Sequence, residues 1–130
     1  DHAWLVAAHD AFTDEANVPR APQGTDRMVR DRLGERRYRV WEDPAIVSFL
    51  GTVFVDGRHA RIGPVYTPPP ARGRGYATAL VAAASRELLD RGARRVFLTT
   101  DLANPVSNAI YARIGYRPVD DTAGYDFVDP

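Results

Sequence analysis

The sequence contains no cysteine and no lysine. Without cysteine there is no disulfide, no thiolate nucleophile and no thiolate zinc site. Without lysine there is no Schiff-base chemistry, and all seventeen cationic residues are arginine. Net charge is missing as well, because seventeen acidic residues balance the arginines. No global field therefore favours a nucleic acid or an anionic membrane as partner. No apolar run approaches the roughly 18 residues of a membrane span, and no signal peptide is visible. A cytoplasmic location is the default expectation. His2, His9 and His59 are scattered without a ligand spacing, so no metal site is expected.

What is present is ordinary for a folded domain: 130 residues, 45% apolar and 26% charged. One domain over residues 1–130 with a real core is expected. The chain opens directly on a helix, residues 2–16, with Leu5, Ala8, Phe12 and Ala16 at helical spacing. With no strand before that helix, the domain reads as lacking an upstream segment. Breakers fill residues 18–24. Thr25 or Asp26 is placed to cap a second helix running to about Leu33, with Gly34 as its stop. Residues 37–41 alternate as a half-buried strand, and Asp43-Pro44 turns it. Residues 45–55 form a long apolar strand bent at Gly51. Asp56-Gly57 signals a tight hairpin, and residues 58–66 return antiparallel, interrupted at Gly63-Pro64. After a stiff connector, Thr67-Pro68-Pro69-Pro70, comes the best helix, residues 75–90. Its stripe is Ala77, Leu80, Val81, Ala84 and Leu88. Gly92 stops it, and residues 95–99 form a short buried strand. Strand, helix, strand is a crossover unit, so these two strands are expected to run parallel. Asn104-Pro105 begins a further helix that ends at Gly115. Residues 116–119 and 124–128 close the chain as two strands.

Two stretches carry chemistry. Arg72-Gly73-Arg74-Gly75-Tyr76-Ala77 joins a strand to the start of the best helix. Glycines let the backbone approach an anion, and a helix start offers N–H groups and a favourable dipole. The stretch is neither a Walker loop nor a dinucleotide fingerprint, since Thr78 stands where a third glycine would fall. A phosphate cradle and a plain glycine-rich turn both stay open at this point. In the second stretch, Asn104, Asn108 and Tyr111 share one helical face. Taken singly they read as a cap, a solvated amide and a core aromatic. The acids Glu42, Asp43, Asp101, Asp120 and Asp121 fall at strand ends, without the spacing of a two-carboxylate mechanism.

Together these residues resemble the GNAT family of N-acetyltransferases. Arg72-Gly73-Arg74-Gly75-Tyr76-Ala77 is similar to the family's Gln/Arg-x-x-Gly-x-Gly/Ala signature. Asn104, Tyr111 and Ile114-Gly115-Tyr116 are similar to its Asn…Tyr…Gly-aromatic segment, with Arg61 to Thr67 as the strand before. The resemblance covers about residues 37–128 well and the first two helices loosely. It implies an α/β (α+β) fold: a mixed central sheet with splayed parallel strands and flanking helices. It implies acetyl-CoA as co-substrate, without a metal, and transfer of the acetyl group to the amine of a small molecule or peptide by direct attack. Val65, Tyr66 and Thr67 would offer main-chain hydrogen bonds to the pantetheine arm. Arg72, Gly73, Arg74, Gly75, Tyr76 and Ala77 would hold the pyrophosphate. Asn104 and Asn108 would lie along the pantetheine, and Tyr111 would protonate the departing thiolate. Glu42, with Asp43, is a candidate base acting through water. Trp4, Phe12, Met28, Trp41 and Tyr125 are candidates to line the acceptor pocket. A homodimer, or packing against a missing N-terminal domain, fits the absent first strand, as does a place in the later half of a longer chain. Two alternatives stand beside this reading: a degenerate module that binds acyl-CoA as a sensor or structural domain, and a nucleotide-phosphate-binding domain without CoA. The second leaves the Asn104–Tyr111 stripe unexplained.

Overall fold

The computed structural model describes residues 2–99, 111–118 and 124–127. Two helices come first, α1 (His2–Ala16) and α2 (Thr25–Gly34). Strands β1 (Tyr38–Glu42), β2 (Ile46–Phe54) and β3 (His59–Tyr66) follow as an antiparallel meander. A 3₁₀ turn (Pro69–Ala71) leads to α3 (Tyr76–Asp90), then β4 (Arg95–Thr99). Residues 111–114 are helical and end at Gly115. Strands β5 (Tyr116–Pro118) and β6 (Gly124–Phe127) complete a six-stranded sheet ordered β1-β2-β3-β4-β6-β5. Among the described residues only the β3–β4 pair is parallel, as the intervening helix requires. No helix among the described residues is long and apolar enough to cross a membrane.

Strand alternation sends neighbouring residues to opposite faces of the sheet. Phe49 and Leu50 show it on β2. Phe49 packs with Leu5, Ala8 and Val29 under α1 and α2, and Leu50 packs with Leu80, Val81, Ala84 and Leu88 under α3. On β1, Tyr38 and Val40 face α1 and α2, whereas Arg39 faces α3 and forms a two-pronged pair with Glu87 at 2.6 and 2.7 Å. Trp41 shares the parity of Arg39 and packs in the α3-side core. It is therefore on the wrong face to line a pocket with Phe12 and Met28.

The helices stop by a common device. Val18, Arg37 and Ala93 donate N–H bonds back across the last turns of α1, α2 and α3, each with a left-handed residue just before it. Those residues are Asn17, Arg36 and Gly92. Gly92 matches the sequence expectation; Gly34 does not, because α2 runs through it and Arg36 makes the turn. The expected side-chain cap of α2 is absent too, since the Thr25 hydroxyl donates to Asp10 at 2.6 Å. The β2–β3 hairpin differs similarly. Its loop is residues 55–58, and Asp56 accepts N–H bonds from Arg58 and His59 at 2.7 and 2.9 Å. A side-chain turn of this kind replaces the two-residue turn that Asp-Gly predicts.

Gly63-Pro64 is a bulge, as the proline suggests. Leu50 pairs with Val65 but Thr52 pairs with Ile62, so β3 holds one residue more than β2 across this interval. The extra residue reverses the parity of β3. Ala60 and Ile62 face α3 before the bulge, and Tyr66 faces α1 and α2 after it. Gly51 sits opposite, where a Cβ would lie 2.8 Å from the Gly63 carbonyl oxygen. Backbone cannot yield as a flexible side chain can. Gly51→Ala is expected to cost about 1–3 kcal/mol, as overpacked sites do, and to lower the urea midpoint. Gly57→Ala, where nothing lies within 4 Å, is expected to leave it nearly unchanged.

Candidate functional site

The β3–β4 ladder runs from His59↔Arg95 to Ile62↔Leu98 and stops there. From Gly63 onward, β3 is bent by its bulge and has no pairing to β4 among the described residues, while β4 pairs with β6 as far as Thr99↔Gly124. Among the described residues the two parallel strands thus part at Gly63 and Thr99, a V at the end of the sheet where Val65, Tyr66 and Thr67 lie. Ser48 is fully buried beneath this opening; its hydroxyl donates to the Tyr66 carbonyl at 3.1 Å and lies 2.8 Å from the Thr67 hydroxyl. Tyr66 is buried in the α1-side core, and its ring meets Phe12 and Phe49 edge-on or tilted.

The connector then turns into α3. Gly73 and Gly75 both take left-handed φ values, 82° and 81°, which glycine adopts without steric cost. Gly75 is the N-cap of α3; its carbonyl accepts the first helical bond, from Ala79 at 3.0 Å. Among the described residues no side-chain cap bond is made at this N-cap. The N–H groups of Tyr76, Ala77 and Thr78 thus have no acceptor within the helix, as geometry dictates for a first turn. Arg74 is exposed and has no ion pair among the described residues. A Cβ at Gly73 or Gly75 would meet nothing within 4 Å.

Arg72 behaves differently from Arg74. Its guanidinium donates to the Thr67 carbonyl and to Glu15 of α1, both at 2.8 Å, and lies 5.5 Å from the centre of the Tyr66 ring. The Tyr66 hydroxyl donates to the same carboxylate. The tyrosine hydroxyl first, and Arg72 next, hold the Glu15 carboxyl below its usual range. The turn is thereby tied to α1 as well as to β3. Tyr76 ties it to the β1–β2 turn, its hydroxyl donating to Asp43 at 2.8 Å. Glu42, at the end of β1, is exposed at this same end of the sheet and forms no ion pair among the described residues.

Tyr111 is half-buried against the α3-side core and meets Tyr116 edge-on at 6.3 Å. Burial pushes its hydroxyl above the ordinary tyrosine value. Tyr116 is locked in turn, with its hydroxyl 2.5 Å from that of the buried Ser85 on α3. Asn104 and Asn108 lie outside the described residues, as does the side chain of Tyr125. Among the described residues no cluster of His, Asp or Glu could hold a metal ion.

On the other side of β3, a cavity of about 380 Å³ opens between α1, α2 and their connection. Phe12, Met28 and Pro64 contribute to its apolar wall; His9 and Arg32 are its titratable groups. Pro64 belongs to the bulge, so the cavity borders the V. Trp4 is one layer away, edge-on to Phe49 at 6.0 Å. His9 is 3% exposed, stacks near Phe49 and lies 2.8 Å from the Tyr38 hydroxyl through Nε2. Burial, then the charge of Arg32, lowers its pKa to about 4. Without a ligand spacing His9 carries no metal signal, but its place four residues after Leu5 and three before Phe12 puts it on the apolar face of α1.

The sign of this shift fixes a pH dependence. Above about pH 6.5 the ring is neutral folded and unfolded. As pH falls from there toward about 4, the unfolded chain takes up a proton that the folded chain refuses, and stability is lost. Between pH 7.5 and pH 5 the loss from His9 is about 2 kcal/mol. Urea unfolding of His9→Gln at the two pH values is expected to show that much less pH dependence than the unmodified chain.

The profile of the acetyltransferase (GNAT) family matches residues 5–116. The chain is 32% identical to a mycothiol acetyltransferase of Arthrobacter sp. (strain FB24) over 96% of its own length, and spans 42% of that protein. Among solved structures, a GNAT family acetyltransferase from Brucella melitensis in complex with acetyl-CoA superposes with a TM-score of 0.68, at 20% identity over 98% of this chain and 81% of that one. Ard1 from Thermoplasma volcanium gives 0.66, at 16% identity over 80% of each chain. These likenesses carry the fold, a mixed sheet with flanking helices. By its sequence profile and its fold, the chain belongs to the acetyltransferase (GNAT) family.

Proposed function

We propose that this domain transfers the acetyl group of acetyl-CoA to the amine of a small molecule. The observation that carries the reading is the uncapped start of α3 behind a two-glycine left-handed turn, beside strands that part at a bulge. An anion at that helix start meets free N–H groups and a favourable dipole. The V supplies main chain for an extended, amide-bearing arm to pair with, as an added strand would. The Brucella relative binds acetyl-CoA in the same fold.

In this reading the N–H groups of Tyr76 and Ala77, with those of the Gly73–Gly75 turn, hold the pyrophosphate, and Arg74 supplies an unpaired positive charge. Arg72 shapes the turn through Glu15 and Thr67 more than it touches phosphate. The pantetheine arm lies along Val65, Tyr66 and Thr67. The Thr67 carbonyl accepts from Arg72 and keeps one lone pair for it, whereas the Tyr66 carbonyl is turned toward β2 and Ser48. Asn104 and Asn108 are proposed to flank the arm from the other side.

Acetyl-CoA supplies an activated thioester carbonyl. The amine nitrogen attacks that carbon, the carbon–sulfur bond breaks, and the thiolate takes the hydroxyl proton of Tyr111. A hydroxyl with a raised pKa is still protonated at neutral pH, when the thiolate departs. The amine's own proton leaves to water, with Glu42 near enough to the open end of the sheet to serve as relay. Relatives that span more than twice this length are mycothiol acetyltransferases, and an acceptor of the kind they use is the first to try. Release of CoA thiol is the direct assay, and the absence of cysteine from the chain leaves its background clean. Amine-dependent thiol release is expected. Binding of acetyl-CoA without release for any amine offered would instead favour a sensor or structural module.

A further inference from the structure

We infer that the α1–α2 cavity selects acceptors carrying a carboxylate or another compact anionic group, which pairs with Arg32. This rests on the acetyltransfer reading and adds a chemical class to its acceptor. The cavity, about 380 Å³, matches a small-molecule site in size. It borders the V at Pro64, so an occupant has access to the place where the thioester would lie.

Arg32 is the charged side chain of the lining. It is half-buried and has no acidic partner among the described residues. Acids of α1 and of the end of α2 are otherwise engaged. Asp10 accepts from Thr25 at 2.6 Å and pairs with Arg20, Asp14 pairs with Arg20 at 3.1 Å, and Glu35 pairs with Arg37. Half-buried guanidinium groups are normally matched to a carboxylate, because partial desolvation is costly without one. Here the match would be the ligand. A guanidinium also fits a carboxylate with two parallel N–H bonds, which gives orientation as well as attraction.

The neighbouring groups favour the same conclusion. Arg32 lies against the Tyr38 hydroxyl, and Tyr38 lies against His9. With the guanidinium on the oxygen side, the hydroxyl proton is directed at the neutral ring. His9 therefore offers the cavity no positive charge at neutral pH and no competing anion. Among its described lining residues the cavity then presents one fixed cation, on an apolar wall of Phe12 and Met28. That wall suits the short apolar body of an amino acid or a small peptide.

The test compares matched pairs: amino acids and dipeptides with a free carboxylate against the same compounds as C-terminal amides. With acetyl-CoA saturating, kcat/KM is expected to be at least tenfold higher for the carboxylates. Arg32→Gln is expected to abolish that preference, mainly by raising KM for the carboxylates, with values for the amides and the Kd of acetyl-CoA unchanged. Arg32→Lys should restore part of it. Turnover with equal or better use of the amides, or a preference that survives Arg32→Gln, would overturn the inference while leaving the acetyltransfer reading intact. If no amine turns over, that reading fails, and calorimetric binding of the N-acetylated carboxylates against their amides still decides the role of Arg32. Binding of the carboxylates, lost in Arg32→Gln, supports it; no binding, or equal binding of both forms, refutes it.

Discussion

Tyr111→Phe is expected to lower kcat by roughly a hundredfold or more, the usual scale for loss of a positioned general acid. The Kd for acetyl-CoA should stay within about twofold, since a hydroxyl acting only on the departing sulfur adds little to ground-state binding. The fold should also survive, because the ring stays in place beside Tyr116 and the α3-side core. Three readouts therefore separate three roles. A loss of kcat alone is the acid. A parallel loss of acetyl-CoA affinity would make Tyr111 a wall of the cofactor site. A lowered melting point with unchanged turnover would make it a packing residue.

Gly75→Glu is expected to weaken acetyl-CoA binding by about ten- to a hundredfold, or ~1.4–2.8 kcal/mol. Two effects combine. The new carboxylate stands at the helix start where the pyrophosphate would sit, and like charges repel there instead of complementing the dipole. The residue must also hold a left-handed φ of 81°, which an L-side chain adopts at a cost of about 1–2 kcal/mol. Gly75→Ala carries the second effect without the first. A Cβ there meets nothing within 4 Å, so steric clash does not confuse the comparison. Calorimetry on both variants is expected to rank affinity as unmodified, then alanine, then glutamate by a wide margin. Equal affinities for alanine and glutamate would remove the anion from this turn.

Much of this frame was legible because it is written in local periodicity. The stripe from Ala77 to Leu88 required a helix packed on one side, and Val96-Phe97-Leu98 required a buried strand; together they forced the parallel pair. Pro64 announced the bulge, since proline cannot donate to a ladder. The change of parity after the bulge was implicit in it, as was the face of Trp41 once Tyr38 and Val40 were assigned. What was not legible depends on distance along the chain. Glu15 meets Arg72 from 57 residues away, and on α1 it looks like any exposed acid. Ser48 is a single hydroxyl in an apolar strand, yet it holds the Tyr66 carbonyl beneath the V. His9 did leave a local trace, at the spacing of Leu5 and Phe12, but its partner Tyr38 is 29 residues on. Turn chemistry misled where two solutions compete: the Asp56 side chain outweighed the Asp-Gly pattern, and Arg36 took the left-handed place offered to Gly34.

Calorimetric titration of the chain with acetyl-CoA, with ATP as control, tests the central claim most directly. Both ligands carry a diphosphate and an adenine, but only acetyl-CoA has the arm that the parted strands would pair with. The expected result is micromolar binding of acetyl-CoA, about −8 kcal/mol, with ATP weaker by two orders of magnitude or more. No binding of acetyl-CoA, or equal binding of ATP, would contradict the account.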